Sequence, residues 1–137
     1  MKLKLTLAAV AAVALASLPA LAHHSFAAEY DSSKAVKITG KFVKMDWVNP
    51  HSWVWVEVTG ADGKTVTWRA ETPPPNGLYR QGWTKNSLKP GEEITIQGFL
   101  AKDGDNLMWS SSVTNGEGRR IFAGTAEGPG APGAPKQ

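Results

Sequence analysis

The chain has 137 residues, of which 42% are hydrophobic and 20% are charged, and it contains no cysteine. This length predicts one small domain, and the lack of cysteine excludes disulfide frameworks, thiolate metal sites, iron–sulfur clusters and cysteine nucleophiles. The formal net charge is only +3, which is too small for the clustered basic surface that a nucleic-acid backbone requires.

Residues 1–22 are typical of a cleaved secretory signal peptide. Lys2 and Lys4 form a positive n-region, an apolar stretch follows, and Ala20-Leu21-Ala22 matches the small-x-small cleavage pattern. The apolar stretch is shorter than the roughly 20 residues that span a bilayer, which favours export over a membrane anchor. Removal of this segment would leave 115 residues with a net charge of +1. We therefore expect a periplasmic or secreted protein that contacts neither membrane nor nucleic acid.

Cleavage after Ala22 would make His23 the first residue of the mature chain, followed by His24. A free N-terminal amine and the Nδ1 atom of the same residue can chelate one metal ion, and another imidazole completes a three-nitrogen set suited to Cu(II). The pair resembles the histidine brace of copper-dependent polysaccharide oxygenases and the N-terminal sites of periplasmic copper-binding proteins. Paired histidines at a chain start also occur by chance on a solvated tail, so both interpretations stay open.

The remaining chain predicts three segments. Residues 23–34 are polar and predict an extended N-terminal arm, whereas residues 123–137 are rich in Gly, Pro and Ala and predict a disordered tail. Between them, residues 35–122 predict an antiparallel β domain whose strands are bounded by Pro, Gly, Asn and Asp turn signals. The expected strands cover residues 36–47, 52–59, 65–71, 92–101, 106–114 and 119–122.

Two features of this pattern favour a particular fold. The apolar positions of the first strand change parity around Gly40, which predicts a β-bulge or a bend. Three prolines end the third strand and precede a short helical turn that Asn76 would cap. Together these features predict a small five- to six-stranded, OB-like antiparallel barrel with a helical insertion between strands 3 and 4. Another small barrel or a sandwich is the alternative.

Six segments together resemble a family of small exported bacterial proteins of unknown function. They are His23-His24-Ser25-Phe26, Glu29-Tyr30-Asp31, Asn49-Pro50-His51, Gly82-Trp83, Leu88-Lys89-Pro90-Gly91 and Ala101-Lys102-Asp103-Gly104. The resemblance spans about the whole mature domain. It implies export and an OB-like fold, but it supplies no activity.

The three histidines of the chain all lie in these segments, and His51 stands in the loop between the first two predicted strands. Loops at the end of a small barrel gather polar groups from distant parts of the chain. We therefore expect the arm to fold back so that the histidines and a carboxylate surround one ion such as copper. The candidate ligands are His23, His24, His51, Asp46, Asp31 and Glu29. The alternative is that His51 is a turn residue bonded to the backbone.

The six tryptophans fall into two groups. Half of them lie on apolar strand faces and are expected in the core, because a small domain without disulfides needs large buried side chains; these are Trp47, Trp68 and Trp109. Trp53 and Trp55 share one strand face, where their rings could stack on a sugar or a peptide. Trp83 and Arg69 are further candidates for this ligand face. Arg69 and Glu71 are expected opposite Trp53 and Trp55 on the next strand, where they could equally form a cross-strand pair on a solvated face.

The leading functional hypothesis is a periplasmic binding protein that holds a transition metal such as copper through the N-terminal histidine. Its partners would be a metal ion or a small ligand, and a periplasmic protein. The alternative is a metal-free OB-type module that binds a ligand or a partner through the aromatic face. A copper-dependent oxidative enzyme is a third hypothesis, but it needs a substrate surface larger than this barrel offers. No catalytic residues are assigned, because the sequence shows neither a nucleophile motif nor a phosphate-binding glycine loop.

Overall fold

The computed structural model describes residues 26–123, which form six strands and two short helices. In chain order these are helix α1 (Phe26–Glu29), strands β1 (Tyr30–Asp46), β2 (Ser52–Thr59) and β3 (Thr65–Thr72), helix α2 (Pro75–Arg80), and strands β4 (Glu93–Ala101), β5 (Leu107–Asn115) and β6 (Arg120–Ala123). The all-β prediction is confirmed, with the helical insertion between the third and fourth strands. The predicted leader, His23, His24 and the tail from residue 124 lie outside the described residues. Within residues 26–123, no helix is long and apolar enough to cross a membrane.

The first five strands form a closed ring. β1 pairs antiparallel with β2 on one side and with β4 on the other, β2 pairs with β3, and β4 pairs with β5. The ring closes where β3 and β5 run parallel, with Arg69 opposite Leu107 and Glu71 opposite Trp109. β6 adds to β5 as an antiparallel strand. The order β1–β2–β3–β5–β4 agrees with the predicted five-stranded, OB-like arrangement.

β1 differs from its prediction at two places. It begins at Tyr30 instead of residue 36, so residues 30–34 of the expected arm are part of the strand. The register shift against β2 falls between Phe42 and Lys44, and the bulge expected at Gly40 is therefore wrongly placed. Gly40 serves a different purpose, because a Cβ atom there would lie 2.2 Å from the main-chain oxygen of Glu57. The missing side chain lets β1 approach β2 closely at Gly40, before the β-bulge between Phe42 and Lys44 bends the strand.

The main core fills the interior of the ring. Alternation along β2 places Val54 and Val56 inside, while Trp53 and Trp55 on the other face are only half-buried. The insertion seals this core, because Leu78 of α2 is completely buried. Burial of one such leucine side chain contributes about 2 kcal/mol. Trp47 and Trp68 pack against the same core, as expected. α2 itself begins at Pro75 after an N-cap at Pro74, so the capping role expected for Asn76 is wrong.

A second, smaller cluster lies where α1 meets the ring. Its buried members are Tyr30, Ala101 and Trp109, and Phe26, Phe99 and Leu107 pack against them. Trp109 is thus a core residue, as predicted, but it belongs to this separate cluster. The cluster joins the start of the described chain to β4 and β5.

Candidate functional site

A cleft of about 510 Å³ opens where four parts of the chain meet. It is bordered by α1, the loop between β1 and β2, the end of β3, and the connection from β4 to β5. Its lining combines apolar walls with several polar groups; the residues are Ala28, Glu29, Val48, Asn49, Pro50, His51, Trp53, Glu71, Ala101, Lys102, Asp103 and Leu107. A mostly apolar cleft with a few convergent polar groups is the usual form of a binding site in a small domain.

The central polar contact of the cleft joins His51 to Glu71. The Nδ1 atom of His51 lies 2.7 Å from Oε1 of Glu71, and the side chain of Glu71 is only 8% exposed. At this distance an Nδ1–H group donates a hydrogen bond to the carboxylate, which fixes the orientation of the imidazole ring. Glu71 comes from β3, whereas His51 comes from the loop before β2, so the contact depends on the pairing of these two strands.

The other carboxylate oxygen of Glu71 accepts a hydrogen bond from the hydroxyl of Tyr30. Tyr30 is buried, and this burial, together with the hydrogen bond and the negative charge of Glu71, raises the pKa of the Tyr30 hydroxyl. The hydroxyl therefore stays protonated and keeps donating. Ser110 also holds the main chain at this point, because its hydroxyl donates to the carbonyl oxygen of Glu71. The carboxylate is thus held from both sides in one position.

Glu29 is the other predicted ligand that borders the cleft with His51. The remaining predicted carboxylates do not line it. Asp31 accepts hydrogen bonds from the main-chain N–H and the hydroxyl of Ser33, which lower its pKa, and it pairs with Lys34. Within residues 26–123, no three His, Asp or Glu side chains gather into a group that could hold a metal ion. The described residues therefore supply only part of the ligand set that we expected.

Asp46 belongs to the aromatic face instead of the cleft. It accepts hydrogen bonds from the ammonium group of Lys44 and from Nε1 of Trp55, and the bond from Lys44 is the main cause that lowers its pKa. The predicted cross-strand neighbours are confirmed, since Trp53 lies opposite Glu71 and Trp55 lies opposite Arg69.

Cations of the chain itself cover this aromatic face. The guanidinium carbon of Arg69 lies 5.7 Å from the ring centroid of Trp53 and 5.5 Å from that of Trp55. The ammonium group of Lys44 lies 4.7 Å from the centroid of Trp55. Such cation–π contacts already occupy the faces of these two rings. Trp53 also borders the cleft, so the aromatic face and the cleft adjoin at this side chain.

Trp83 is not part of the aromatic face, and its assignment as a ligand-face residue is wrong. Its side chain is buried in the main core, and its Nε1 atom donates to the carbonyl oxygen of Ile121. The hydrogen bond joins the segment after α2 to β6. Trp83 therefore stabilises the fold, as a buried tryptophan with a satisfied N–H does elsewhere.

Sequence reasoning missed two residues of this site. Tyr30 was expected in the N-terminal arm, and Glu71 was expected either to oppose the tryptophans of β2 or to form a cross-strand pair on a solvated face. Periodicity does place Glu71 on the same face as Arg69, and no local signal distinguishes it from a solvated acid. Its carboxylate is buried where Tyr30 of β1 and His51 of the loop before β2 contact it, and both residues are far from Glu71 in the chain.

Two comparisons with known proteins bear on this site. The model of a family of unknown function, DUF6152, matches residues 9–108. That range contains His23, His24 and every residue that lines the cleft. No curated protein matches the chain significantly.

Proposed function

We propose that this chain, which belongs to the DUF6152 family, is an exported binding protein that holds a transition-metal ion, with copper as the preferred metal. The observation that carries the proposal is the contact of His51 Nδ1 with Glu71 Oε1 at 2.7 Å. Histidines that bind metals through one ring nitrogen almost always donate the other N–H to a carboxylate, a carbonyl or water. Glu71 and Tyr30 would thus orient His51 so that Nε2 would be the nitrogen that binds the metal.

The remaining ligands would come from the N-terminus. Export with cleavage after Ala22 leaves the amine and the imidazole of His23 at the chain start, with His24 beside them. Glu29 and Ala28 border the cleft with His51, so the chain enters the described domain at the site itself. The amine and Nδ1 of His23 with Nε2 of His51 would form a three-nitrogen set, which suits the tetragonal geometry of Cu(II).

The proposal is tested with exported protein whose first residue is confirmed as His23. Titration with Cu(II), followed by electron paramagnetic resonance, should show one ion per chain with nitrogen ligands. A matched protein with one glycine added before His23 separates the amine from its imidazole and should bind at least tenfold more weakly. Equal binding by the two proteins, or no binding by either, would overturn the proposal.

A metal-free module that binds a ligand through Trp53 and Trp55 remains the second candidate. It has the half-buried rings in its favour, but Arg69 and Lys44 already contact them. An Arg69→Ala variant would remove the guanidinium from both rings and leave only Lys44 over Trp55. If the aromatic face is the binding surface, this variant should change the binding of an oligosaccharide or peptide probe and leave Cu(II) binding unaltered.

A further inference from the structure

A second groove, of about 630 Å³, lies next to the cleft. One wall consists of residues 42–48, at and after the end of β1, and the other is part of the connection from α2 to β4. The groove and the cleft share Val48 and Trp53, but neither His51 nor Glu71 lines the groove. A molecule bound in the groove therefore does not need the proposed metal site.

β1 has a neighbour on only one side inside this groove. β4 pairs with β1 as far as Lys41, and the last main-chain bonds on that side join Phe42 to the turn before β4. On the other side, the pairing with β2 continues to Asp46. Among the strands of residues 26–123, none pairs with β1 on the β4 side after Phe42. This stretch is an open strand edge, and such an edge is a template for pairing with another chain.

The main-chain groups of Met45 point to the open side. Directly opposed residues of an antiparallel sheet alternate between pairs that exchange hydrogen bonds and pairs that do not. The N–H of Arg69 donates to the carbonyl oxygen of Asn106 at 2.9 Å, away from β2, so Arg69 and Trp55 form a pair without bonds. The next residue, Val54, therefore bonds to β3 and not to Met45, which lies opposite it on β1. The N–H and C=O of Met45 are thus directed to the groove.

Exposed apolar side chains are concentrated around this edge. Of the four large apolar side chains that are exposed in residues 26–123, Val43 and Val48 line the groove, at 37% and 48% exposure. A third, Tyr79, lies against Trp47 of the groove wall with 5.3 Å between their ring centroids. Such a concentration of apolar groups on a small domain is typical of an interaction surface.

The groove also carries one positive charge that is not neutralised within the described chain. The carboxylate of Asp46 is already bonded to the ammonium group of Lys44. Lys85, on the opposite wall, is exposed and forms no ion pair with any residue of 26–123. The charge that complements this groove is therefore negative.

A second copy of the chain does not offer that charge. The first half of β3 is also open, because β5 pairs with β3 only from Arg69 onwards. Its residues 65–68 are uncharged, and Lys64 and Arg69 flank them. These two cations would lie close to Lys85 if one copy paired with another, so charge favours a different partner.

We propose that the groove binds an extended acidic segment of another protein, which adds to β1 as a further antiparallel strand. Main-chain bonds to Met45 supply affinity, whereas contacts with Val48 and Trp47 and a carboxylate on Lys85 supply specificity. Met45 packs against the main core, and a residue directly opposite it points to the same face. The partner strand therefore alternates apolar side chains, which point inward, with acidic ones, which point outward.

The probe is a short labelled peptide in which valine and glutamate alternate, and fluorescence anisotropy measures its binding to the processed full chain. A peptide with lysine in place of glutamate is its matched counterpart and should bind more weakly. Lys85→Glu should weaken binding of the glutamate peptide about fivefold or more. Lys37→Glu makes the same charge change on β1 outside the groove and should leave binding unchanged.

N-methylated peptides test the main-chain pairing without altering the protein. The valine residues are those whose N–H faces Met45, so methylation of the valine nitrogens should abolish binding. Methylation of the glutamate nitrogens, which face away from β1, should have little effect. His51→Ala should bind the glutamate peptide as the unaltered protein does, which separates this inference from the metal-binding function.

Equal binding of the glutamate and lysine peptides, or binding of neither, overturns the proposal. It is also overturned if the two methylated peptides bind equally, or if Lys85→Glu and Lys37→Glu have the same effect. A dimer in sedimentation experiments that the glutamate peptide dissociates would show that a second copy occupies the groove, and would overturn the choice of partner.

Discussion

His51 and Glu71 are joined by a 2.7 Å contact between Nδ1 and Oε1, which connects the loop after β1 with the end of β3. Glu71 is buried, and its second carboxylate oxygen accepts a hydrogen bond from the hydroxyl of Tyr30. One carboxylate thus links the first strand, the third strand and the only described histidine.

Replacing His51 by Ala should weaken Cu(II) binding at least tenfold, which corresponds to about 1.4 kcal/mol. The change removes the imidazole that we propose as the third nitrogen ligand. Affinity is measured by titration of the processed protein. Asp31→Asn is the control, because Asp31 is bonded to Ser33 and Lys34 and should not affect copper affinity. Equal affinities for His51→Ala and the unaltered protein would show that His51 is not a copper ligand and that its contact with Glu71 is structural.

Replacing Tyr30 by Phe should destabilise the domain by about 1–3 kcal/mol, because the buried carboxylate of Glu71 loses a donor while the ring is kept. Urea unfolding measures this change. Tyr79→Phe is the matched control, since Tyr79 is 50% exposed, and it should change the unfolding free energy by less than about 0.5 kcal/mol. Similar effects of the two substitutions would show that the hydrogen bond to Glu71 contributes nothing to stability.

The stabilising effect of Tyr30 should also depend on pH in one direction. Burial raises the pKa of its hydroxyl above the ordinary value of 10.0. The folded protein therefore keeps this proton when the unfolded chain releases it, and the stabilising contribution is lost as the pH rises above that value. The difference in unfolding free energy between the unaltered protein and Tyr30→Phe should thus be smaller near pH 11 than near pH 8. A constant difference over this range would contradict the raised pKa of the Tyr30 hydroxyl in the folded protein.

The exported protein should begin at His23. Ala20 and Ala22 provide the small residues that a signal-peptide cleavage site needs. Mass spectrometry of the secreted or periplasmic material identifies the first residue directly. Any other first residue would remove the chelate of amine and imidazole and with it the proposed ligand set.

Removal of residues 124–137 should change the melting temperature by only a few degrees, which corresponds to about 1 kcal/mol for a domain of this size. These residues are mostly Gly, Pro and Ala, which bury little apolar area. The truncation keeps Ile121, whose carbonyl oxygen accepts the hydrogen bond from Trp83. Truncation before Arg120 is the contrasting variant and should be much more destabilising, because it removes β6 and this bond. A large loss after the shorter truncation would show that the tail packs on the domain.

Several features of the fold follow from local sequence. The turn signals Asn49-Pro50 and Asp62-Gly63 bracket β2, and its predicted bounds are those of the structure. Gly63 has a positive φ of 77°, as a tight turn between two antiparallel strands requires. The three prolines likewise end β3 and introduce the short helix. Such signals act between neighbouring residues, so they can be identified without knowing the rest of the fold.

The site itself depends on contacts between residues far apart in the chain. His51 was a candidate from its position in a turn, but its partner Glu71 and the donor Tyr30 were recognised only from the structure. Tyr30 and Glu71 are 41 positions apart, and they meet because Tyr30 pairs with β4 while Glu71 lies opposite Trp109 of β5, the strand next to β4 in the ring. Trp83 was misassigned for the same reason, since it packs in the main core and its N–H donates to Ile121 of β6, 38 positions away. Local sequence determined the strands and turns of this protein, whereas only ring closure decided which polar side chains were desolvated and paired, because burial depends on surfaces contributed by distant strands.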